Sequence, residues 1–223
     1  MRAKFDEQLN LLNQEMVQMG MMIEENIQTS IEALVRHNVD MAKEIVQKDV
    51  AVDQKQKKIE SICFDLLIQQ QPVAKDLRTI TAAMKMVTDM ERIGDHAADI
   101  SEITAILNNV QDARNMETII QMASEALYML MQSIDAYVKK DIGLANKVID
   151  HDDVVDRLFD QVKEEIIDQI KRDRDEGEYE IDMLMIAKYL ERIGDHATNI
   201  AEWVIYAFET NIEKNVENAA TEE

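Results

Sequence analysis

The chain has 223 residues, 45 of them acidic and 24 basic, for a formal charge of −21. That balance argues against nucleic acid as a partner, because a phosphate backbone is held by stripes of Lys and Arg. Five Gly, one Pro and few aromatic residues point to an all-α fold with an aliphatic, Met-rich core, and the lack of any long uncharged apolar run argues against direct membrane insertion.

Hydrophobic periodicity predicts six helices in two sets of three. Leu9, Leu12, Met16, Met19, Ile23, Ile27, Ile31 and Leu34 recur at three- and four-residue steps, giving a first helix over about 5–38. Asn38 and Asp40 then offer capping side chains. A second helix covers about 41–70, and Pro72 is expected to open the third, where a missing N–H costs nothing. The third reaches about Leu107, and residues 108–112 connect the halves. Further helices are expected over about 113–140, 142–172 and 179–210, the fifth ended by the charged stretch 171–177. Short connections between helices of this length predict two tandem, pseudo-symmetric, elongated three-helix bundles. They divide the chain into 1–109, 110–212 and an acidic, frayed tail at 213–223. Fifteen Met read as soft core filler and Cys63 as a small buried hydrophobe. The first ten residues lack the apolar region of a secretory signal.

The halves are related by duplication. Glu-Arg-Ile-Gly-Asp-His occurs at 91–96 and again at 191–196, one hundred residues later. A weaker repeat pairs Asp49 with Asp152, Val52 with Val155, Asp53 with Asp156 and Ile59 with Val162. This second offset is three residues longer, so the turn between the second and third helices of each half carries the length change.

The duplication concentrates carboxylates. Glu91 and Asp95, like Glu191 and Asp195, stand i, i+4 and share a helix face. Asp99 and Glu102 extend the first stripe, Asn199 and Glu202 the second. The preceding helices carry Asp49, Asp53, Lys57 and Glu60 in one half and Asp152, Asp156, Asp160 and Lys163 in the other. Counting back from the turns places each Asp pair level with a Glu/Asp pair on its antiparallel neighbour. An isolated acidic pair is commonly a solvated face. Four pairs at matching heights instead predict two oxygen-rich sites for a divalent or trivalent cation such as Fe, Mn, Zn or Mg. The expected ligands are Asp49, Asp53, Glu91, Asp95 and Asp99 in one half, and Asp152, Asp156, Asp160, Glu191 and Asp195 in the other. Gly94 and Gly194 fall inside helices, where Gly costs about 1 kcal/mol, so a close helix approach is expected beside each pair. Exchanging Asp99 for Asn199 and Lys57 for Asp160 makes the two sites unequal.

His96 and His196 lie about 100° around the helix from Asp95 and Asp195, a poor angle for a shared ion; a supporting role or a cap suits them better. Arg92 and Arg192 are expected to face water or to pair with another helix, and His37 and His151 fall near helix ends. The di-iron oxidase signature needs His three residues after Glu, and positions 94 and 194 are Gly. A carboxylate-bridged metalloenzyme is therefore the alternative, not the main reading.

Taken together, Asp49 with Val52-Asp53, Gln71-Pro72, Asp76-Leu77-Arg78, Met90 followed by the first hexamer, Leu190 followed by the second, and Asn199-Ile200-Ala201-Glu202 resemble the PhoU family. The resemblance covers nearly the whole chain. It implies metal binding by the paired acidic motifs at Asp49/Asp53, Glu91/Asp95, Asp152/Asp156 and Glu191/Asp195. It also implies a non-enzymatic, cytoplasmic regulator, peripheral to the inner face of the membrane through its partners. Those partners would be the ATPase of the Pst phosphate transporter and a PhoR-type histidine kinase, with the phosphate regulon held off. Asp76, Leu77 and Arg78 would serve either helix structure or partner contact. Elongated bundles with Met-rich faces could also form a homodimer.

Overall fold

The computed structural model describes residues 2–69, 72–107, 116–172 and 177–209. Its elements are α1 (Arg2–Val35), α2 (Val39–Gln69), α3 (Ala74–Ile106), α4 (Met116–Lys139), α5 (Ile142–Arg172) and α6 (Gly177–Phe208). Among the described residues there is no strand. The six predicted helices are all present. The expected boundary at 109/110 and the tail lie outside the described residues, as does most of the charged break after α5.

One start differs from expectation. Pro72 precedes α3 and does not open it; the helix begins at Ala74 with Val73 as its N-cap. Asp76 reaches back to accept the Val73 backbone N–H at 3.4 Å and places a negative charge in the first turn, where the helix dipole favours it. That interaction defines the start two residues beyond the proline.

The turns α1–α2 and α4–α5 are built alike. His37 and Lys140 both take positive φ, 49° and 57°. The following N–H groups bond back into the last helical turn, Asn38 to Ala33 O and Asp141 to Ala136 O, each at 2.9 Å. This is the left-handed helix stop usually occupied by Gly. Asn38 and Asp141 then cap the next helix, accepting from Met41 N at 3.1 Å and Leu144 N at 3.0 Å. Because His37 carries a Cβ in a left-handed conformation, His37→Gly is expected to raise stability by about 1 kcal/mol in denaturant unfolding.

Each half packs its three helices on one another, and the halves meet through α3 against α6 and α1 against α4. Helices α2 and α5 stay on the outer flanks, touching only helices of their own half. Three contacts give the α3–α6 direction: Arg78 with Tyr206, Asp89 with His196, and His96 with Tyr189. Rising numbers on one helix meet falling numbers on the other, so the pair is antiparallel and the two hexamers cross at its centre. The core runs without interruption through both halves. Met16, Met19, Met86, Met90, Met122, Met129 and Met183 are fully buried in it, the filler role that their flexible side chains suit. Arg78 donates to the Tyr206 carbonyl and lies 5.0 Å from that ring's centroid, tying the start of α3 to the end of α6.

Candidate functional site

The first carboxylate cluster rests on a close approach of α2 to α3. A Cβ on Gly94 would stand 2.9 Å from Val52 Cγ1, so the missing side chain is what lets the helices meet here. On α2, Asp49 stands three residues before Val52 and Asp53 directly after it, and α3 places Asp95 opposite them. One carboxylate oxygen from each of Asp49, Asp53 and Asp95 lies within 4.8 Å of the others. Oxygens on opposite sides of a bound hard cation stand about 4–5 Å apart, so this spacing fits one.

The cluster is half-buried and short of positive charge. Burial, then the charges of Asp95, Asp53 and Asp99, push Asp49 up to about 6. Glu91 and Asp95 are raised for the same reasons: burial first, then their carboxylate neighbours. Asp49 Oδ1 is buried and has no hydrogen-bond partner. A buried, unpartnered oxygen beside three like charges is a costly arrangement for a purely structural site. A cation would satisfy it. Asp99 borders the cluster and accepts a hydrogen bond from His96 Nδ1 at 3.1 Å. His96 thus orients a carboxylate and does not point at the cluster, as its angle on the helix predicts.

The second cluster repeats the frame with different chemistry. Burial and the charges of Asp156, Asp195 and Glu191 push Asp152 up to about 6. Partial desolvation, then neighbouring carboxylates, raises Asp156 and Asp195 although both remain exposed, and Lys188 opposes both shifts. The Lys188 ammonium is hydrogen-bonded to Glu191 and sits 5.3 Å from the Phe159 ring centroid. Asp160 is exposed and paired with Lys163. Gly194 has more room than Gly94: a Cβ there would lie 3.4 Å from both Asp152 Oδ1 and Val155 Cγ1. Among the described residues, no three carboxylates of this half converge as tightly as Asp49, Asp53 and Asp95.

Between the clusters, where the hexamers cross, Arg92, Asp95, His96, Arg192, Asp195, His196 and Asn199 line an open groove of about 510 Å³. The two imidazoles stack with centroids 5.6 Å apart. Arg92 and Arg192 are exposed, and Arg192 lies over the Tyr189 ring at 6.0 Å. The exchange of Asp99 for Asn199 is explained here. His196 Nδ1 donates to Asp89 on the opposite helix at 2.9 Å, and Asn199 donates to the same oxygen at 3.3 Å. The position equivalent to Asp89 is Tyr189, which packs on His96 at 5.4 Å and offers no carboxylate. His96 therefore takes its carboxylate from Asp99 on its own helix. Each histidine keeps one acidic partner, and α3 supplies both.

The residues missed from sequence were Asp89, Phe159, Lys188 and Tyr189. Their signal was available in the offset alignment, as Asp89 against Tyr189, Thr88 against Lys188 and Gln56 against Phe159. None belongs to an acidic stripe, so a search by charge spacing passes over them.

A family model described as the PhoU domain matches the chain twice, over residues 16–104 and 119–204. A phosphate-specific transport system accessory protein PhoU homolog from Clostridium acetobutylicum is 38% identical over 206 residues, 92% of this chain and 94% of the relative. A homolog of the same description from Synechocystis is 36% identical, over 92% of this chain and 91% of its own length. The crystal structure of PhoU from Pseudomonas aeruginosa superposes with a TM-score of 0.86 at 29% identity, covering 91% of this chain and 98% of that one. The phosphate transport system regulatory protein PhoU from Streptococcus pneumoniae gives 0.83 at 30%, covering 93% and 97%.

Proposed function

The chain belongs to the PhoU family, and from that membership we propose that it is a non-catalytic regulator of phosphate uptake whose first carboxylate cluster holds a metal ion. The observation that carries the regulatory part is the double domain match, joined to relatives named for the phosphate-specific transport system over more than nine-tenths of their length. The proposed partners are the ATPase of a Pst-type transporter and a PhoR-type sensor kinase, with the protein acting at the cytoplasmic membrane face to hold the phosphate regulon off. No helix among the described residues is long and apolar enough to cross a membrane, so attachment to the transporter would run through protein contacts.

Within the cluster, Asp49, Asp53 and Asp95 would be the ligands, with Glu91 and Asp99 flanking them. The ion would lend fixed positive charge to the α2–α3 seam. This chain's own residues hold the oxygens at the right separation through the Val52–Gly94 contact, and His96 steadies Asp99. A non-catalytic role also fits the chain's one cysteine, which lies in the core and outside the cluster. Cys63 is fully buried and its thiol is pushed up to about 12, chiefly by burial, which leaves it inert as a nucleophile.

The test is a pull-down from solubilised membranes with the full chain as bait. Retention of the transporter ATPase or the sensor kinase is the expected result. Metal-dependent turnover with neither partner retained would instead favour the metalloenzyme reading.

A further inference from the structure

We propose that Lys188 is a built-in counter-ion that takes the metal's place in the second half, so that tight metal binding is confined to the first. This rests on the metal reading above and adds which half is loaded and why.

Three observations carry it. First, the lysine occupies the second cluster: its ammonium is hydrogen-bonded to Glu191, and its charge reaches Asp156 and Asp195. Second, the chain has a berth for it. Phe159 presents its ring to the ammonium at 5.3 Å, and cation–π attraction of this kind holds a Lys beside an aromatic face. Third, both parts are particular to this half. The first half has Thr88 in place of Lys188 and Gln56 in place of Phe159, and Thr88 only bonds back to Met84 O at 3.2 Å within its own helix. The half with Thr88 at the equivalent position is the one whose carboxylate oxygens converge within 4.8 Å and whose Asp49 Oδ1 lacks a partner. Two acidic clusters need neutralising; one has a hydrogen-bonded ammonium of its own, while the other has only the charge of the exposed Arg92 nearby.

The physical consequence is competition. A unit positive charge beside a carboxylate set lowers the affinity of that set for a second cation through direct repulsion and through use of its lone pairs. At a few ångströms and partial burial the loss is roughly tenfold or more. Glu191, only 14% exposed, cannot serve both cations at once.

The experiment titrates metal-free full-length protein with Mn²⁺ by calorimetry and follows thermal unfolding of the same samples. Wild type is expected to show tight binding that Asp49→Asn weakens by about tenfold and Asp195→Asn leaves intact. Lys188→Met and Lys188→Gln are each expected to add a second set of binding events, roughly tenfold tighter or more than wild type shows at that half, and removed by Asp195→Asn. Without metal both variants should melt below wild type, and Mn²⁺ should restore them. The proposal is overturned if wild type already binds equally at both halves, or if neither Lys188 variant changes the stoichiometry; the metal reading survives either result. Absence of Mn²⁺ binding by every variant would overturn both together.

Discussion

Asp49→Asn is expected to stabilise the metal-free protein at pH 7. Asp49 is held at about 6 in the fold, against an ordinary 3.8, by burial and by Asp95, Asp53 and Asp99. A carboxyl whose folded pKa is raised binds its proton more tightly when folded. Its stabilising contribution is therefore fully present below about pH 4 and is lost as pH rises through 6. At pH 7 the folded protein carries an ionised Asp49 in surroundings that resist the charge. The amide removes that charge while keeping the shape. Discounted for solvent screening, the gain is about 1 kcal/mol. Urea unfolding of both proteins from pH 4 to 7 checks it: the advantage of the variant should be small at pH 4 and grow until about pH 6.5. A variant that is less stable at pH 7 would show that Asp49 is paired in a way the cluster geometry denies. Stability and binding are expected to move in opposite directions, as at sites shaped for a ligand and not for the fold.

Gly94→Ala and Gly194→Ala, the same change in two copies of one hexapeptide, are expected to have opposite effects. Alanine favours a helix over glycine by about 1 kcal/mol, and that gain is available at both positions. At Gly94 it is outweighed. The new Cβ would stand 2.9 Å from Val52 Cγ1, and Val52 is fully buried, so α2 must shift away from α3. Overpacking of this kind costs roughly 1–3 kcal/mol. The shift would also separate Asp49 and Asp53 from Asp95, so cation affinity falls with stability. At Gly194 the nearest atoms are 3.4 Å away, and the alanine should be neutral or stabilising by up to about 1 kcal/mol. Chemical unfolding of the two variants checks the difference in sign. Val52→Ala added to Gly94→Ala should recover part of the loss by making room for the methyl.

Much of this was legible in the sequence because the features involved are periodic. The helices follow apolar spacing, and α5 occupies the predicted 142–172 span. The level placement of Asp49/Asp53 against Asp95 followed from counting residues on either side of one turn. The internal glycines announced a close approach, and Val52 provides it. What escaped depends on a single side chain crossing between elements. Asp76 bonding back to Val73 moved the start of α3 past Pro72. Asp89 reaching His196 joins residues 107 apart across the seam between halves, and no pattern local to either helix announces that contact. Lys188 was hidden for another reason: the expectation concerned acidic residues, and the decisive difference between the clusters is a basic one.

The first carboxylate cluster is proposed as a cation site. The most direct measurement is calorimetric titration of metal-free wild type and of Asp49→Asn/Asp95→Asn with Mn²⁺ at pH 7, beside elemental analysis of protein purified without chelators. Metal in the purified wild type and tight Mn²⁺ binding are expected, with a loss of roughly a hundredfold or more in the double variant, which removes two of three converging ligands. A wild type that carries no metal and takes up no Mn²⁺, or a double variant that binds as well as wild type, would contradict it.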